Sequence, residues 1–234
     1  MSHPVIAFDL DGTLVDTAPD LIATLNDLLV DHGIPAVAYD EARTMIGAGV
    51  KALITRALTA QQVRAPAADI DALFATYIER YAARIAALSR PFPGLEQALD
   101  SLAAEGYRFA VCTNKIEWLS TRLLDALSLS PRFDAVCGQG TFDVMKPHPD
   151  MFRRTILQAG GDPARAIMVG DSGTDINTAR AANVPVIAVD FGYTDVPVSR
   201  LGPDRIVSRF SDLPSAVREL LPPDTTAAPR EAAS

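Results

Sequence analysis

Chemically reactive side chains follow four short apolar runs of this sequence, most of them within a few residues of the end of the run. In chain order they are Asp9 and Asp11, Thr113 and Asn114, Lys146, and Asp171 and Asp175. Clustered carboxylates repel one another unless a cation neutralises them, and a site built from hard oxygen ligands suits Mg²⁺. An ammonium and a hydroxyl beside such a cation are groups that bind a tetrahedral oxyanion such as phosphate. If these side chains converge, they therefore predict a magnesium site that handles a phosphate group.

The apolar runs themselves predict the strands of a parallel sheet. They lie at residues 5–8, 108–112, 135–137, 166–169 and 186–189. Continuous rather than alternating apolar runs are typical of strands that are buried on both faces. Helical patterns separate the later runs, so we predict an α/β fold with a Rossmann-like open parallel sheet and right-handed crossovers. Ligands of such sheets bind outside the carboxyl ends of the strands, where the reactive side chains lie.

Residues 17–89 interrupt this alternation with helical patterns alone. The amphipathic stripes are formed by Leu21, Leu25, Leu28 and Leu29, by Val50, Leu53, Ile54, Ala57 and Leu58, and by Ile70, Leu73, Phe74, Tyr77, Ile78, Tyr81 and Ile85. We therefore predict an all-helical module at residues 17–89, inserted into an α/β core formed by residues 1–16 and 90–221. Residues 222–234 are polar and rich in proline, which predicts a disordered tail.

Composition narrows the class of protein. The chain has 234 residues, of which 48% are hydrophobic and 21% charged, as in ordinary globular proteins. A net charge of -8 disfavours binding to nucleic acids or anionic membranes. No apolar run approaches the roughly 18 residues of a membrane span, and the first residues lack the basic and apolar regions of a signal peptide. We expect a cytoplasmic protein in which Cys112 and Cys137 are buried thiols; oligomeric state is not predicted.

Each of these residues also has a simpler structural explanation. Aspartates that follow strands often begin helices or turns, and a single lysine is usually an exposed surface cation. Lysine is scarce in this chain, however, because arginine supplies 18 of the 21 basic residues. Two of the three lysines, Lys115 and Lys146, come soon after predicted strands. The joint pattern therefore favours a functional site over a set of unrelated structural residues.

Four segments resemble the sequence motifs of the haloacid dehalogenase superfamily in its phosphatase form. They are residues 9–16 (Asp-Leu-Asp-Gly-Thr-Leu-Val-Asp), 111–115 (Val-Cys-Thr-Asn-Lys), 146–149 (Lys-Pro-His-Pro) and 169–175 (Val-Gly-Asp-Ser-Gly-Thr-Asp). All four occur in order and at suitable spacing, and the helical module stands where that superfamily has its type 1 cap. The resemblance covers nearly the whole chain except the tail.

This resemblance implies a role for each matching residue. Asp9 would be the nucleophile that attacks phosphorus and forms an aspartyl-phosphate, and Asp11 would protonate the leaving alcohol and then activate water. Thr113 and Lys146 would bind the oxygens of the transferring phosphoryl group. Mg²⁺ would be held by the side chains of Asp9 and Asp171 and by the backbone carbonyl of Asp11.

Three further positions are implied less directly. Asp175 would hold Lys146 or a water on the metal, and Gly12 and Asn114 would lie beside the substrate. The aspartate at position 11 disfavours dehalogenation, because the haloacid dehalogenases themselves lack an aspartate there.

The helical module also resembles the phosphoglycolate phosphatase group at residues 45–53 (Met-Ile-Gly-Ala-Gly-Val-Lys-Ala-Leu). The substrate-binding residues implied there are Gly47, Ala48, Gly49 and Arg56. Backbone amides of the glycine loop would approach a small anion, and Lys51 or Arg56 would add positive charge for a carboxylate. Residues 113–115 and 191–193 (Phe-Gly-Tyr) point the same way. We therefore predict a Mg²⁺-dependent phosphatase that hydrolyses 2-phosphoglycolate to glycolate and phosphate.

Alternative functions remain open at this point. A sugar-phosphate mutase like β-phosphoglucomutase would pass the aspartyl-phosphate to another sugar hydroxyl instead of water. A phosphatase for a different small ester would share every motif. A phospho-receiver domain without enzymatic activity also places carboxylates, Thr and Lys at a sheet edge, but the inserted helices, the length and the position of Asp171 after Lys146 disfavour it.

Overall fold

The computed structural model describes residues 3–194 and 196–223. Its strands are β1 (Val5–Phe8), β2 (Val15–Asp16), β3 (Arg90–Pro91), β4 (Arg108–Ile116), β5 (Ala135–Gln139), β6 (Ala166–Gly170), β7 (Val186–Val189) and β8 (Arg205–Val207). Its α-helices are α1 (Ala18–Asp31), α2 (Tyr39–Arg43), α3 (Val50–Ala60), α4 (Ala67–Ala83), α5 (Leu95–Ala104), α6 (Glu117–Ala126), α7 (Pro149–Gln158), α8 (Gly173–Ala182) and α9 (Leu213–Leu220). Residues 224–234, which make up most of the predicted tail, lie outside the described residues.

Six strands form one parallel sheet in the order β5-β4-β1-β6-β7-β8. The chain moves outward from β1 through β4 to β5, and then returns to the other side of β1 to add β6, β7 and β8. This reversal of strand order opens a crevice at the carboxyl end of β1, which is where open α/β sheets bind ligands. The predicted Rossmann-like parallel sheet is confirmed, and Asp9 is the first residue after its central strand.

Burial on both faces explains the continuous apolar runs. The four residues of β1 are all completely buried. Ile6 and Phe8 pack into one apolar layer, with residues of α5, α6 and α9, whereas Val5 and Ala7 pack into the opposite layer, with residues of α7 and α8. A strand between two apolar layers has no solvent-facing side that would need alternate polar residues. Cys112 and Cys137 are buried free thiols, as expected.

Several elements differ from the sequence prediction. Strand β4 continues four residues beyond Cys112, although its pairing with β5 is irregular between Cys112 and Ile116. Strand β8 was not predicted, because two of its three residues are exposed at the sheet edge and no apolar run marks it. The two-residue strands β2 and β3 and the short helix α2 also lack a pattern long enough to detect.

Residues between β2 and β3 are helical or irregular, with no strand in this described stretch. Val15 pairs with Pro91 and Asp16 with Arg90. The two segments that lead into and out of residues 17–89 therefore lie side by side as an antiparallel pair. Among the helices in between, α4 packs against α1 and α3. The division into a core and a cap at residues 17 and 89 stays a prediction, and "cap" below denotes residues 17–89. Within the described residues, no helix is both long and apolar enough to cross a membrane.

Candidate active site

Asp9 lies where the central strand meets the crevice. Its backbone N–H donates to the Val169 carbonyl of the neighbouring strand at 2.9 Å, which continues the β1–β6 pairing by one residue. Its carboxylate accepts the backbone N–H of Leu10 at 2.7 Å. Asp9 is only 6% exposed.

Lys146 contacts two carboxylates. Its Nζ lies 2.9 Å from Asp9 Oδ1 and 2.6 Å from Asp175 Oδ1. Burial of this side chain opposes its charge, but the attraction of Asp175 and Asp9 prevails and raises the pKa of Lys146 above its ordinary value. Asn114 fixes the lysine backbone: it accepts the Lys146 N–H at 2.9 Å and donates to the Lys146 carbonyl at 3.1 Å. The ammonium is therefore held, fully charged, beside Asp9.

Asp171 and Asp175 enter the site at the junction of β6 and α8. Asp171 accepts the Tyr193 N–H at 2.7 Å and the Thr13 hydroxyl at 3.3 Å. Asp175 accepts the N–H and hydroxyl of Ser172, which begins α8 as a capping box. The same aspartate therefore caps its helix with one oxygen and holds Lys146 with the other. The capping role considered for these aspartates and a role in the site coexist in Asp175.

Three buried carboxylates converge here, with oxygens of Asp9, Asp171 and Asp175 within 4.8 Å of one another. Burial raises the pKa of Asp9 to about 6, although Lys146 opposes the shift. Burial, together with repulsion from Asp175 and Asp9, raises the pKa of Asp171 to about 8. Three ionised carboxylates beside one ammonium leave two negative charges, which a divalent cation would cancel. Hard carboxylate oxygens are also the ligands that Mg²⁺ takes, so this cluster fits such an ion.

A glycine backs this cluster where a side chain would not fit. Gly12 has a φ of +81°, and a Cβ atom there would lie 2.4 Å from Asp171 Oδ2 and 2.9 Å from the Tyr193 ring. Its N–H donates to the Val15 carbonyl at 3.0 Å. Its place beside the substrate stays a prediction; in the structure Gly12 packs against Asp171, and its amide donates within the turn. Its contribution is the close approach that only glycine permits.

Asp11 points away from the carboxylate cluster and towards the cap. Its two oxygens lie 3.0 and 3.3 Å from Lys115 Nζ, and the same ammonium donates to the Tyr81 hydroxyl of α4 at 2.8 Å. The sequence left the role of Lys115 open. Its partner Asp11 is 104 residues away in the chain, so no local pattern indicates the pair.

Core and cap residues enclose a cavity of about 30 Å³, room for about one water molecule. It is lined by Asp9, Asp11, Leu21, Gly47, Gly49, Val50, Tyr81, Thr113, Asn114, Lys115, Ile116, Leu119 and Gln139. A Cβ atom at Gly49 would lie 3.7 Å from the Asn114 carbonyl, so the glycine loop rests close to the core. The structure thus brings the predicted nucleophile, the predicted acid, Thr113 and the glycine loop to one small space.

Some predicted substrate contacts lie elsewhere. Arg56 is exposed on α3 and donates to the Met45 carbonyl at 2.8 Å, so it supports the glycine loop from outside. Lys51 forms an exposed ion pair with Asp71 at 2.6 Å. Neither side chain lines the cavity described above, nor does Ala48. The expectation that Lys51 or Arg56 supplies charge to the substrate stays a prediction.

Tyr193 is a site residue whose contacts were not predicted. Its hydroxyl donates to Asp16 Oδ1 at 2.6 Å and accepts the Ala18 N–H at 3.0 Å, while its own backbone N–H holds Asp171. It therefore links a carboxylate of the cluster to the chain where β2 passes into α1. Residues 191–193 were noted only through the family resemblance, because hydrogen bonds across 175 or more residues leave no periodic signal.

Comparisons with known proteins agree with this geometry. The family model for haloacid dehalogenase-like hydrolases matches residues 6–189. Phosphoglycolate phosphatases from Mesorhizobium japonicum and Caulobacter vibrioides are 46% and 45% identical to this chain; the alignments cover 94% of it and 97% and 93% of those proteins. A crystal structure described as a predicted phosphoglycolate phosphatase from Haemophilus somnus superposes with a TM-score of 0.85 at 29% identity, over 93% of this chain and 99% of that one. The chain therefore belongs to the haloacid dehalogenase-like hydrolases.

Proposed function

We propose that this protein is a Mg²⁺-dependent phosphatase that hydrolyses 2-phosphoglycolate to glycolate and phosphate. The observation that carries the proposal is the Asp9 carboxylate at the end of β1, 2.9 Å from the buried ammonium of Lys146 and adjoining the carboxylate of Asp171. The choice of substrate is supported by relatives of that name at 45–46% identity.

Asp9 would attack phosphorus and displace the glycolate oxygen, which yields a phosphoryl group bound to its carboxylate. Lys146 would neutralise charge on the phosphoryl oxygens and also hold Asp9 ionised against the burial that favours its neutral form. The buried Thr113 hydroxyl, which lines the cavity, would donate to another phosphoryl oxygen. Asp175 would keep Lys146 in position, since it contacts the ammonium at 2.6 Å.

Asp11 would transfer protons in both halves of the reaction. It lies two residues after Asp9 and lines the same cavity, so it can reach an oxygen on the phosphorus that Asp9 attacks. Protonated, it would donate to the leaving oxygen; ionised, it would then remove a proton from the water that hydrolyses the aspartyl-phosphate. The Lys115 ammonium at 3.0 Å would fix the orientation of its carboxylate.

The cation would be held by the side chains of Asp9 and Asp171 and by the Asp11 backbone carbonyl. When bound, Mg²⁺ would neutralise charge on the phosphoryl oxygens. Two neutral donors would hold Asp171 in place for this role. The Tyr193 N–H donates to one of its carboxylate oxygens and the Thr13 hydroxyl to the other.

The cap would act as a lid over the cavity. With the glycine loop resting near Asn114, the cavity of about 30 Å³ leaves little free space, so the cap would open or shift to admit 2-phosphoglycolate. Closure over the ester would then exclude water and restrict the substrate to small molecules. β2 and β3, where the chain enters and leaves the cap, are the segments about which it would turn.

The test is a comparison of kcat/KM across phosphate esters, with and without Mg²⁺. We expect the highest value for 2-phosphoglycolate, loss of turnover with a chelator and recovery with added Mg²⁺. A higher value for another small ester would overturn the substrate. Dependence of a sugar-phosphate reaction on a bisphosphate primer would indicate a mutase instead. Single stoichiometric labelling without turnover would indicate a receiver.

A further inference from the structure

Lys115 is the one cationic side chain among the described residues that line the cavity. Its side chain is 3% exposed, in contrast to Lys51 and Arg56, which lie on the outer side of the cap. Apolar side chains of Leu21, Val50, Ile116 and Leu119 form much of the surrounding wall. An ammonium in such surroundings interacts strongly with any anion that reaches it, because little water screens the charge.

Three described acceptor atoms surround this ammonium, and one of them lies at a longer distance than the others. A lysine ammonium has three N–H donors. The described partners are the Asp11 carboxylate, at 3.0 and 3.3 Å, and the Tyr81 hydroxyl, at 2.8 Å. Burial raises the pKa of Tyr81 well above its ordinary value, so its hydroxyl stays neutral and adds no second negative charge. A ligand oxygen in the cavity would therefore replace the more distant Asp11 oxygen, at 3.3 Å, as an acceptor of this ammonium.

The opposite wall of the cavity also favours an anion. Helix α3 begins at Val50, and Gly47, Gly49 and Val50 line the cavity, so the N-terminus of an 11-residue helix faces it. Gly49 supplies no side-chain cap, and the first turn of α3 holds no acidic residue. The free N–H groups and the positive end of the helix dipole at this terminus stabilise a negative charge.

We propose that the carboxylate of the substrate binds between the Lys115 ammonium and the N-terminal amides of α3, and that Lys115 determines the preference for carboxylated phosphate esters. This inference rests on the proposed function and names the residue that recognises the part of the substrate remote from phosphorus. In 2-phosphoglycolate a single methylene separates the carboxylate from the leaving oxygen. Asp11, the proposed acid for that oxygen, contacts Lys115. The residue that would protonate the leaving oxygen therefore lies next to the residue that would bind the carboxylate. Because the two anion-binding walls belong to the core and the cap, the carboxylate would also hold the cap closed.

The experiment compares 2-phosphoglycolate with ethyl phosphate, which carries a methyl group in place of the carboxylate. We expect Lys115→Met to lower the ratio of their kcat/KM values on the order of 10- to 100-fold, as for a lost hydrogen bond to a charged group. Any cost of leaving Asp11 without its partner affects both esters and cancels in the ratio. Lys115→Arg, which keeps the charge, should restore part of the preference. Arg205→Met is the control, because that arginine is exposed on β8, is paired with Glu219 at 2.8 Å and does not line the cavity, and it should leave both values unchanged.

Each outcome decides the proposal. If the wild-type protein prefers 2-phosphoglycolate and Lys115→Met abolishes the preference, the carboxylate site is supported. If Lys115→Met lowers both activities equally and the ratio persists, Lys115 only positions Asp11: the carboxylate site is wrong, while the phosphatase assignment stands. If the wild-type protein turns over both esters equally well, the choice of 2-phosphoglycolate fails together with this inference.

Discussion

Replacing Gly192 by alanine should disable the cation site while leaving the sheet intact. A Cβ atom at position 192 would lie 2.2 Å from Asp171 Cβ and 2.3 Å from Asp171 Oδ2. Because carbon atoms pack at roughly 3.5–4.0 Å, Asp171 or the loop that carries Tyr193 must move by about 1 Å or more. We expect overpacking to cost about 1–3 kcal/mol of unfolding free energy. A displacement of that size in a reacting group can lower activity by about 10²-fold.

The measurement is a Mg²⁺ titration of phosphatase activity, with thermal unfolding recorded in parallel. Gly192→Ala should require a higher Mg²⁺ concentration for half-maximal activity and should gain less thermal stability from Mg²⁺. Gly173→Ala is the matched control, since a Cβ atom there would meet only Leu201 Cδ1, at an ordinary 3.7 Å. If Gly192→Ala binds Mg²⁺ and turns over substrate as the wild type does, Asp171 does not hold the cation as proposed.

Two further predictions concern protons and charge in the same cluster. Burial raises the pKa of Asp9 to about 6 and that of Asp171 to about 8, so without a cation the fold loses stability as the pH rises from about 4 towards 8. Mg²⁺ bound by these carboxylates would have to displace those protons, so the rise in Tm on adding Mg²⁺ should be larger at pH 8 than at pH 6. An equal rise at both pH values would contradict the assignment. Asp175→Asn should lower kcat about 10- to 100-fold, because Lys146 would lose the carboxylate that holds it. Asp150→Asn, at an exposed aspartate, is the control and should leave kcat unchanged in steady-state kinetics.

The parts of the fold that the sequence predicted are those in which burial is continuous. Strands β1 and β7 have the predicted bounds because each is buried along its whole length, between apolar layers. Strand β8 escaped prediction because its first two residues face solvent at the sheet edge. The helices of the cap followed from their apolar stripes, but α2 is only five residues long and has one buried side chain.

Some residues of the candidate site could be predicted from the sequence and others could not. Residues that directly follow predicted strands, such as Asp9 and Asp171, could be placed because parallel strands deliver their carboxyl ends to one edge. Lys115 and Tyr81 meet only through tertiary packing between α4 and the end of β4, so their contact carries no periodic signal. Arg56 is predicted at the substrate from the family resemblance and its charge, and in the structure it is exposed on α3. Which face of α3 it occupies depends on packing that the local pattern did not settle.

The central claim is that Asp9 becomes phosphorylated and that Asp11 moves the protons, and trapping the intermediate tests it most directly. Asp11→Asn keeps the backbone carbonyl but removes proton transfer, a contribution of about 10²–10⁴-fold. An activated phosphate ester hardly needs its leaving group protonated, so formation of the intermediate should survive better than its hydrolysis. After rapid quench, peptide mass spectrometry should find a hydroxylamine-labile phosphate on Asp9. Phosphate on Asp171 or Thr113, or normal turnover without any labelled carboxylate, would contradict the account.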